Sequence, residues 1–581
     1  MPMADRARRW RDPGVDLGLL LLSALAMGPV LLSRGFVLIG DMTFAPVQPW
    51  NGAWLGLDGS VPRAVPADAI VSVLSHVVPG DLLQKAILLG ALVGAATGMV
   101  RLVRGLVGAT ARIAPLGAGV LFVWNPWVLE RLAIGHWGLL IGYAALPWLA
   151  SAAFAHRDSG RHLGPVVVAL AVAAFGSPTG GAAAGLVALV ICTDRVQVRR
   201  SLLVLGAVVA VNLPWLLPGF LGSTAPTDPH GVAAFAARSD TAYGVVGSLL
   251  TFGGIWKAAV VPGDRGSALL VGVALLISVA GLVALACRAR TDRRLRPLCW
   301  LAAVGFILAA LPTISVGADV ATWMVDHLPG AGLLRDSQKW LLLFVLATCV
   351  GVGLALDRLA RLLRAHVLPA RSATLACALL PIVVLPSLAW GIAGELRPAH
   401  YPREWTQVRT ILEHQPARDR RTVVLPFSAY HRYDWNRQRA VLDPAIRFFP
   451  GEVVTNDALT VSASLTVAGE DRVAARIATA LARHDAITPV LRAAGIRYVL
   501  VEKALPRGDP SRAAYAELLG TTASLHDGPQ LQLLDLGSGS KAPHASWAPV
   551  IVAGDLVALG VLCIGIFWTL RRITGKKDDI G

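Results

Sequence analysis

The lysines and arginines of this chain are not scattered. Outside residues 394–546 the dense ones form short clusters between apolar segments, and several windows of about 20 residues, the length a helix needs to cross a bilayer, lack charge altogether. Twelve windows are read, near residues 15–37, 81–104, 113–129, 136–155, 163–176, 179–194, 201–221, 267–288, 297–315, 338–357, 371–393 and 547–570. With the N-terminus in the cytoplasm, the basic segments 4–11, 101–112, 156–162, 194–200, 287–296, 357–371 and 571–579 all fall on the cytoplasmic side. The expected fold is a polytopic α-helical membrane protein of about 12 transmembrane helices. It sits in the plasma membrane with both termini cytoplasmic. Windows five and six are short and also suit one re-entrant pair around Gly176, Ser177, Pro178, Thr179 and Gly180.

Composition agrees. The 581 residues are 55% hydrophobic and 15% charged, with mean hydropathy +0.59, where soluble chains carry about 25% charge. The net charge of +16 reads as membrane topology, because its cations lie between apolar windows; no nucleic-acid partner is expected. The six cysteines, at 192, 287, 299, 349, 377 and 563, lie in or beside apolar windows. That argues against a disulfide framework or a thiolate zinc site. No small-residue cleavage site precedes Asp41, so the first window reads as a retained helix.

The side opposite the basic clusters collects the remaining features. Residues 1–393 are read as a transmembrane module of spans one to eleven, with outer loops 38–80, 222–266 and 316–337. Residues 394–546 are read as a small extracytoplasmic α/β domain between the last two helices. Residues 547–581 supply the final helix and a basic cytoplasmic tail. Strands are expected at 421–427, 496–502 and 531–536, and a helix over 470–494.

Four groups carry candidate chemistry. Asp41, in IGDMTFAP (39–46), follows the first window; partial desolvation there would raise its pKa towards base strength, or it is an exit residue reaching water. In WNPWVLERLAIGHW (124–137), Trp124, Trp127 and Trp137 suit an interfacial belt, and Asn125-Pro126 breaks span three. Glu130, Arg131 and His136 crowd the same corner. In LLRDSQKW (333–340), Arg335 and Lys339 would share a helix face fit for a lipid phosphate, or Asp336 or Ser337 caps a helix start. In residues 424–450, Tyr430, His431, Tyr433 and Trp435 suit sugar rings, or equally a surface docked on the membrane part. Asp555 lies inside span twelve, where a structural pairing is expected. No GxSxG, HExxH, P-loop or dinucleotide fingerprint occurs.

GDMTFAP resembles the GD…F.P opening of YfhO-like and actinobacterial arabinofuranosyltransferase proteins. AGIRYVLVEK (494–503) resembles a strand of YfhO-like outer domains. The architecture resembles, over the whole chain, the GT-C superfamily of polyprenyl-phosphate-sugar glycosyltransferases. The resemblance implies an inverting glycosyltransferase that moves a sugar from a polyprenyl-phosphate-sugar lipid donor to an envelope glycan or glycolipid acceptor, at the outer face of the lipid bilayer. Asp41 would be the base. Arg335, Lys339, Arg131 and His136 would bind the lipid phosphate, and Tyr430, His431, Tyr433 and Trp435 the acceptor. Loop 38–80 offers only Asp58 and Asp68 besides Asp41, in no DxD spacing. No metal ligands are assigned, and a divalent metal stands only as an option. The alternatives are a non-catalytic scaffold of envelope assembly and a lipid or glycolipid transporter. The absence of visible repeated halves weighs against the transporter.

Overall fold

The computed structural model describes residues 12–59, 63–108, 111–160, 162–193, 197–222, 228–328, 330–364, 370–416, 421–462, 465–503, 522–537 and 547–574. Among these, eight helices are long and apolar enough to cross a membrane: Gly80–Val107, Ile113–Ala133, Trp137–Ser159, Val198–Leu221, Ala268–Thr291, Arg293–Thr313, Ser337–Leu363 and Ala548–Arg571. The chain is a multi-pass membrane protein. The other four expected windows are also helical, but short or bent. Pro13–Met27 stops at Gly28, which turns the chain. Arg371–Val384 and Pro386–Gly394 form one path bent by 68° at a proline. Leu163–Gly176 and Pro178–Cys192 meet at Ser177, whose hydroxyl accepts from the Gly180 amide at 3.0 Å while Pro178 opens the second helix. At 14 and 15 residues each spans only about 22 Å.

Two of the basic segments, 156–162 and 287–296, meet at one end of the bundle, where Arg294 pairs with Asp158 at 3.2 Å. The polar loops gather at the other, together with a sheet. Its strands are β1 (Arg421–Leu425), β2 (Tyr430–Arg432), β3 (Ala440–Leu442), β4 (Glu452–Val454), β5 (Leu459–Ser462), β6 (Leu465–Val467), β7 (Tyr498–Glu502), β8 (Ala523–Asp527) and β9 (Leu531–Asp535). Five form a mixed sheet in the order β4-β1-β7-β9-β8; β2-β3 and β5-β6 are antiparallel pairs. Strands β1, β7 and β9 are the three expected from the sequence. The expected helix over 470–494 is two helices, Arg472–Ala482 and Ile487–Ala493. They cover one sheet face through Ala474, Ile477, Leu491, Val423, Val499 and Val501. The other face, with Val424, Tyr498 and Leu500, continues into the main core of the bundle.

Loop 38–80 is tied into this end. Asp68 and Arg447 form a buried ion pair at 2.8 Å, and Arg447 also donates to the Thr43 hydroxyl. The Tyr401 hydroxyl donates to the Phe44 carbonyl at 2.8 Å, and Asn436 donates to the Leu38 carbonyl at 2.9 Å. Asp68 is therefore a structural anchor of the first loop.

Candidate active site

Asp41 sits in a tight turn. The backbones of Ile39 and Met42 bond to each other, leaving Gly40 and Asp41 at the tip. Gly40 has φ +53°, and a Cβ there would lie 2.0 Å from the Ile134 carbonyl oxygen. Gly135, at φ +79°, faces the same turn; its Cβ would lie 2.4 Å from the Met42 nitrogen. Only glycine fits either position. That close approach lets the Asp41 amide donate to the Ile134 carbonyl at 2.9 Å. Strand β3 fixes the other side: the Gly40 amide donates to the Ala440 carbonyl, and the Leu442 amide to the Gly40 carbonyl.

The corner facing Asp41 follows from Asn125-Pro126. Asn125 caps the helix Pro126–Ala133 by accepting from the Val128 amide at 3.0 Å, with Pro126 at its first position. Glu130 and Arg131 are carried inward with no exposure. Arg131 Nη1 donates to His136 Nδ1 at 3.2 Å and to Asp336 Oδ2 at 3.4 Å. Lys339 Nζ lies 3.4 Å from the same Asp336 oxygen. His136 Nε2 lies 3.2 Å from Asp41 Oδ2, and the Tyr430 hydroxyl donates to Asp41 Oδ1.

Asp41, His136, Arg131, Asp336 and Lys339 thus form one connected polar chain. The Asp41 side chain keeps 43% exposure, so its carboxylate is both held and reachable. Desolvation pushes its pKa up. The His136 hydrogen bond, the charge that ring takes on once acid protonates it, the Tyr430 hydroxyl and the charge of Lys339 outweigh that and hold it well below the usual carboxylate range. This corrects the expectation of a raised pKa: the neighbours on other segments, invisible along the chain, dominate. Burial lowers the His136 pKa, and Lys339 and Arg131 add to that against the opposing pull of Asp41. Burial likewise raises the Asp336 pKa, but Lys339 and Arg131 carry it below normal.

The structure separates other candidates. Arg335 and Lys339 do not share a helix face, because Ala331–Leu334 and Ser337–Trp340 are two 3₁₀ turns parted at Asp336. Arg335 turns to Glu470 at 3.1 Å and lies over the Phe235 ring, while Lys339 turns to Asp336. Asp336 makes no side-chain cap; its carboxylate serves Arg131 and Lys339. The tryptophan belt is corrected too. Trp124, Trp127 and Trp137 are buried, Trp124 donating to the Leu385 carbonyl and Trp127 stacking on Tyr143. Trp127 also donates to the Gln338 carbonyl, and the Trp137 ring packs on Phe44, so all three rings are used inside the protein.

Of the four candidates in residues 424–450, Tyr430 reaches Asp41. His431 and Tyr433 are buried, with the Tyr433 hydroxyl donating to Glu502 at 2.7 Å. Trp435 is half-buried and stacks on Tyr433 in a cluster with Tyr401 and Trp405. These three face the packed junction between sheet and bundle, which is the docking-surface alternative. One residue was missed. Lys257 is half-buried in loop 222–266; burial lowers its pKa while the charge of Asp41 opposes that. The sequence signal was weak: Lys257 is one of three cations in loop 222–266, with Arg238 and Arg265, on the side poor in basic clusters.

No family model and no curated protein matches the chain. Solved structures do. The arabinofuranosyltransferase AftD from Mycobacteria superposes with TM-score 0.54 at 16% identity, and a variant of it with 0.56 at 15%. These alignments cover 91% of this chain and 40% and 42% of the AftD chain, so the chain spans about two fifths of that protein's length. The archaeal oligosaccharyltransferase AglB from Archaeoglobus fulgidus superposes with TM-score 0.41 at 12% identity, over 84% of this chain and 69% of its own. Over 91% of its length the chain therefore shares the fold of the mycobacterial protein AftD, in line with the resemblance read from GDMTFAP and AGIRYVLVEK.

Proposed function

We propose that the chain is an inverting GT-C glycosyltransferase. It moves a sugar from a polyprenyl-phosphate donor to an envelope glycan or glycolipid at the outer face of the plasma membrane. The observation that carries this reading is the setting of Asp41: an ionised, reachable carboxylate between two hydrogen-bond donors, in the field of lysines from two other segments. An acceptor hydroxyl attacks the anomeric carbon, the bond from that carbon to the phosphate oxygen breaks, and the hydroxyl proton passes to Asp41. The hydroxyl becomes acidic as the new bond forms, so a carboxylate of low pKa suffices if it is ionised and placed. The phosphate leaves as an anion that Lys339 and Lys257 neutralise. His136 holds the carboxylate and Asp336 holds Lys339, with Arg131 behind both. The sugar named for AftD, an arabinofuranosyl group, is the first donor to try.

The test is complementation of a depleted strain with wild type or Asp41→Asn at matched membrane levels, followed by profiling of envelope glycans and glycolipids. The variant should accumulate the same truncated glycan as the depletion, and the missing sugar names the reaction. A normal profile from Asp41→Asn would overturn the mechanism and favour the scaffold or transporter.

A further inference from the structure

Behind Tyr430, the residue that reaches Asp41, lies a second cluster that the glycosyl-transfer chemistry does not use. Strand β2 puts Tyr430 against Asp41, so the next residue, His431, points the opposite way, into the protein. There it meets Asp443, directly after β3, and Glu502, the last residue of β7. All three are buried, at 4%, 0% and 3% exposure. One ligand atom from each lies within 4.8 Å of the others, and His431 Nε2 is 3.6 Å from Asp443 Oδ2.

The carboxylates are half-satisfied. Asp443 Oδ1 accepts from the Ala445 amide at 2.8 Å, and Glu502 Oε2 accepts from the Tyr433 hydroxyl at 2.7 Å. Asp443 Oδ2 and Glu502 Oε1 are buried without a hydrogen-bond donor. Two carboxylates that approach each other in the protein interior, each with one oxygen unserved, need either a shared proton or a cation between them.

We propose that His431, Asp443 and Glu502 form a structural site for one divalent first-row transition ion of the zinc type. A divalent ion neutralises both carboxylates. The imidazole nitrogen argues against calcium and magnesium, which take oxygen ligands. Ligands at about 2.0–2.2 Å from zinc in a tetrahedral site stand roughly 3.4 Å apart. The His431–Asp443 separation already has that scale, and a small inward movement of Glu502 completes the set. The ion would join β2, β3 and β7, and so brace the strand that carries Tyr430.

The experiment uses the full chain, purified in detergent without chelator, with metal content read by mass spectrometry. Wild type is expected to hold about one equivalent of metal per chain, and after stripping to take up Co²⁺ with the visible absorption of a tetrahedral nitrogen–oxygen site. His431→Ala and Asp443→Asn should each lower metal affinity by more than about tenfold. If these variants do not fold, the Co²⁺ spectrum of the wild type decides. Wild type that binds neither zinc nor Co²⁺ overturns the proposal and leaves a carboxyl pair sharing a proton. Full metal content in a folded His431→Ala variant overturns it as well.

Discussion

His136 bridges an anion and a cation: its Nε2 lies 3.2 Å from Asp41 Oδ2, and its Nδ1 lies 3.2 Å from Arg131 Nη1. A guanidinium only donates, so Nδ1 must accept and the imidazole is neutral, with its proton on Nε2 aimed at Asp41. Protonating Nδ1 would set two donors against each other. The lowered pKa of His136 follows from that arrangement together with burial and Lys339.

The pH dependence of stability has a definite sign. Both His136 and Asp41 have folded-state pKa values below their ordinary ones, 6.5 and 3.8. Their contributions are therefore fully present above those values and lost as pH falls towards the folded ones. The melting temperature of the purified protein should decline on acidification from about pH 6.5, the ordinary histidine pKa. His136→Gln, which can still donate to Asp41, should flatten the decline between about pH 6.5 and 5. An unchanged slope would mean that His136 has the same pKa folded and unfolded, and a steeper one that the fold favours its charged form.

Tyr430→Phe removes one donor from Asp41 and little volume. A hydrogen bond to a charged group is worth about 1.5–3 kcal/mol. If Tyr430 holds the base in place, turnover should fall by roughly ten- to a hundredfold with the melting temperature nearly kept. Loss of folding without a separate rate effect would make the tyrosine a purely structural link between β2 and the first loop.

The lysines and Arg335 should behave differently, although the sequence placed Arg335 and Lys339 together. Lys339→Gln and Lys257→Gln should raise the donor KM by about tenfold, the scale of one charge-assisted contact to phosphate, and weaken its dependence on salt. Arg335→Gln should leave the donor KM within about twofold, because its guanidinium is committed to Glu470 and the Phe235 ring; its cost should appear in stability, at about 1 kcal/mol or more for a largely buried pair. A donor KM that responds to Arg335 and not to Lys339 would invert the assignment.

The sequence told different amounts about different levels. Hydropathy located the eight helices long and apolar enough to cross a membrane, because a long apolar run leaves a linear trace, but did not show that the other four windows are short or bent. Asp41 stood out since an acid ends an apolar run, and the 124–137 corner since charges crowd beside a helix break. The contact between Tyr430 and Asp41 joins residues 389 apart and leaves no local pattern. The tryptophans were misplaced for a related reason: a ring at a membrane boundary can face lipid or bundle, and only the neighbouring helices decide. Arg335 and Lys339 were paired by assuming one helical period across Asp336, where the chain makes two tight turns instead.

Gly40 tests how closely the two turns must approach. Its φ of +53° alone disfavours any side chain, and an alanine Cβ would stand 2.0 Å from the Ile134 carbonyl oxygen, a backbone atom that cannot swing aside. Accommodating it means pushing residues 134–136 away from Asp41, which lengthens the Asp41–His136 contact and weakens the Asp41 amide bond to Ile134. Gly40→Ala should therefore destabilise the protein by at least about 1–3 kcal/mol and lower turnover more than that loss of folded protein explains. Gly90→Ala is the matching control: the glycine lies in the helix Gly80–Val107 with nothing within 4 Å of its added Cβ. It should leave turnover unchanged and be neutral or stabilising by up to about 1 kcal/mol. Melting curves and single-turnover rates on the two variants separate the effects. Equal behaviour of both would show that the first loop does not need the turn at Ile39–Met42 to present its carboxylate.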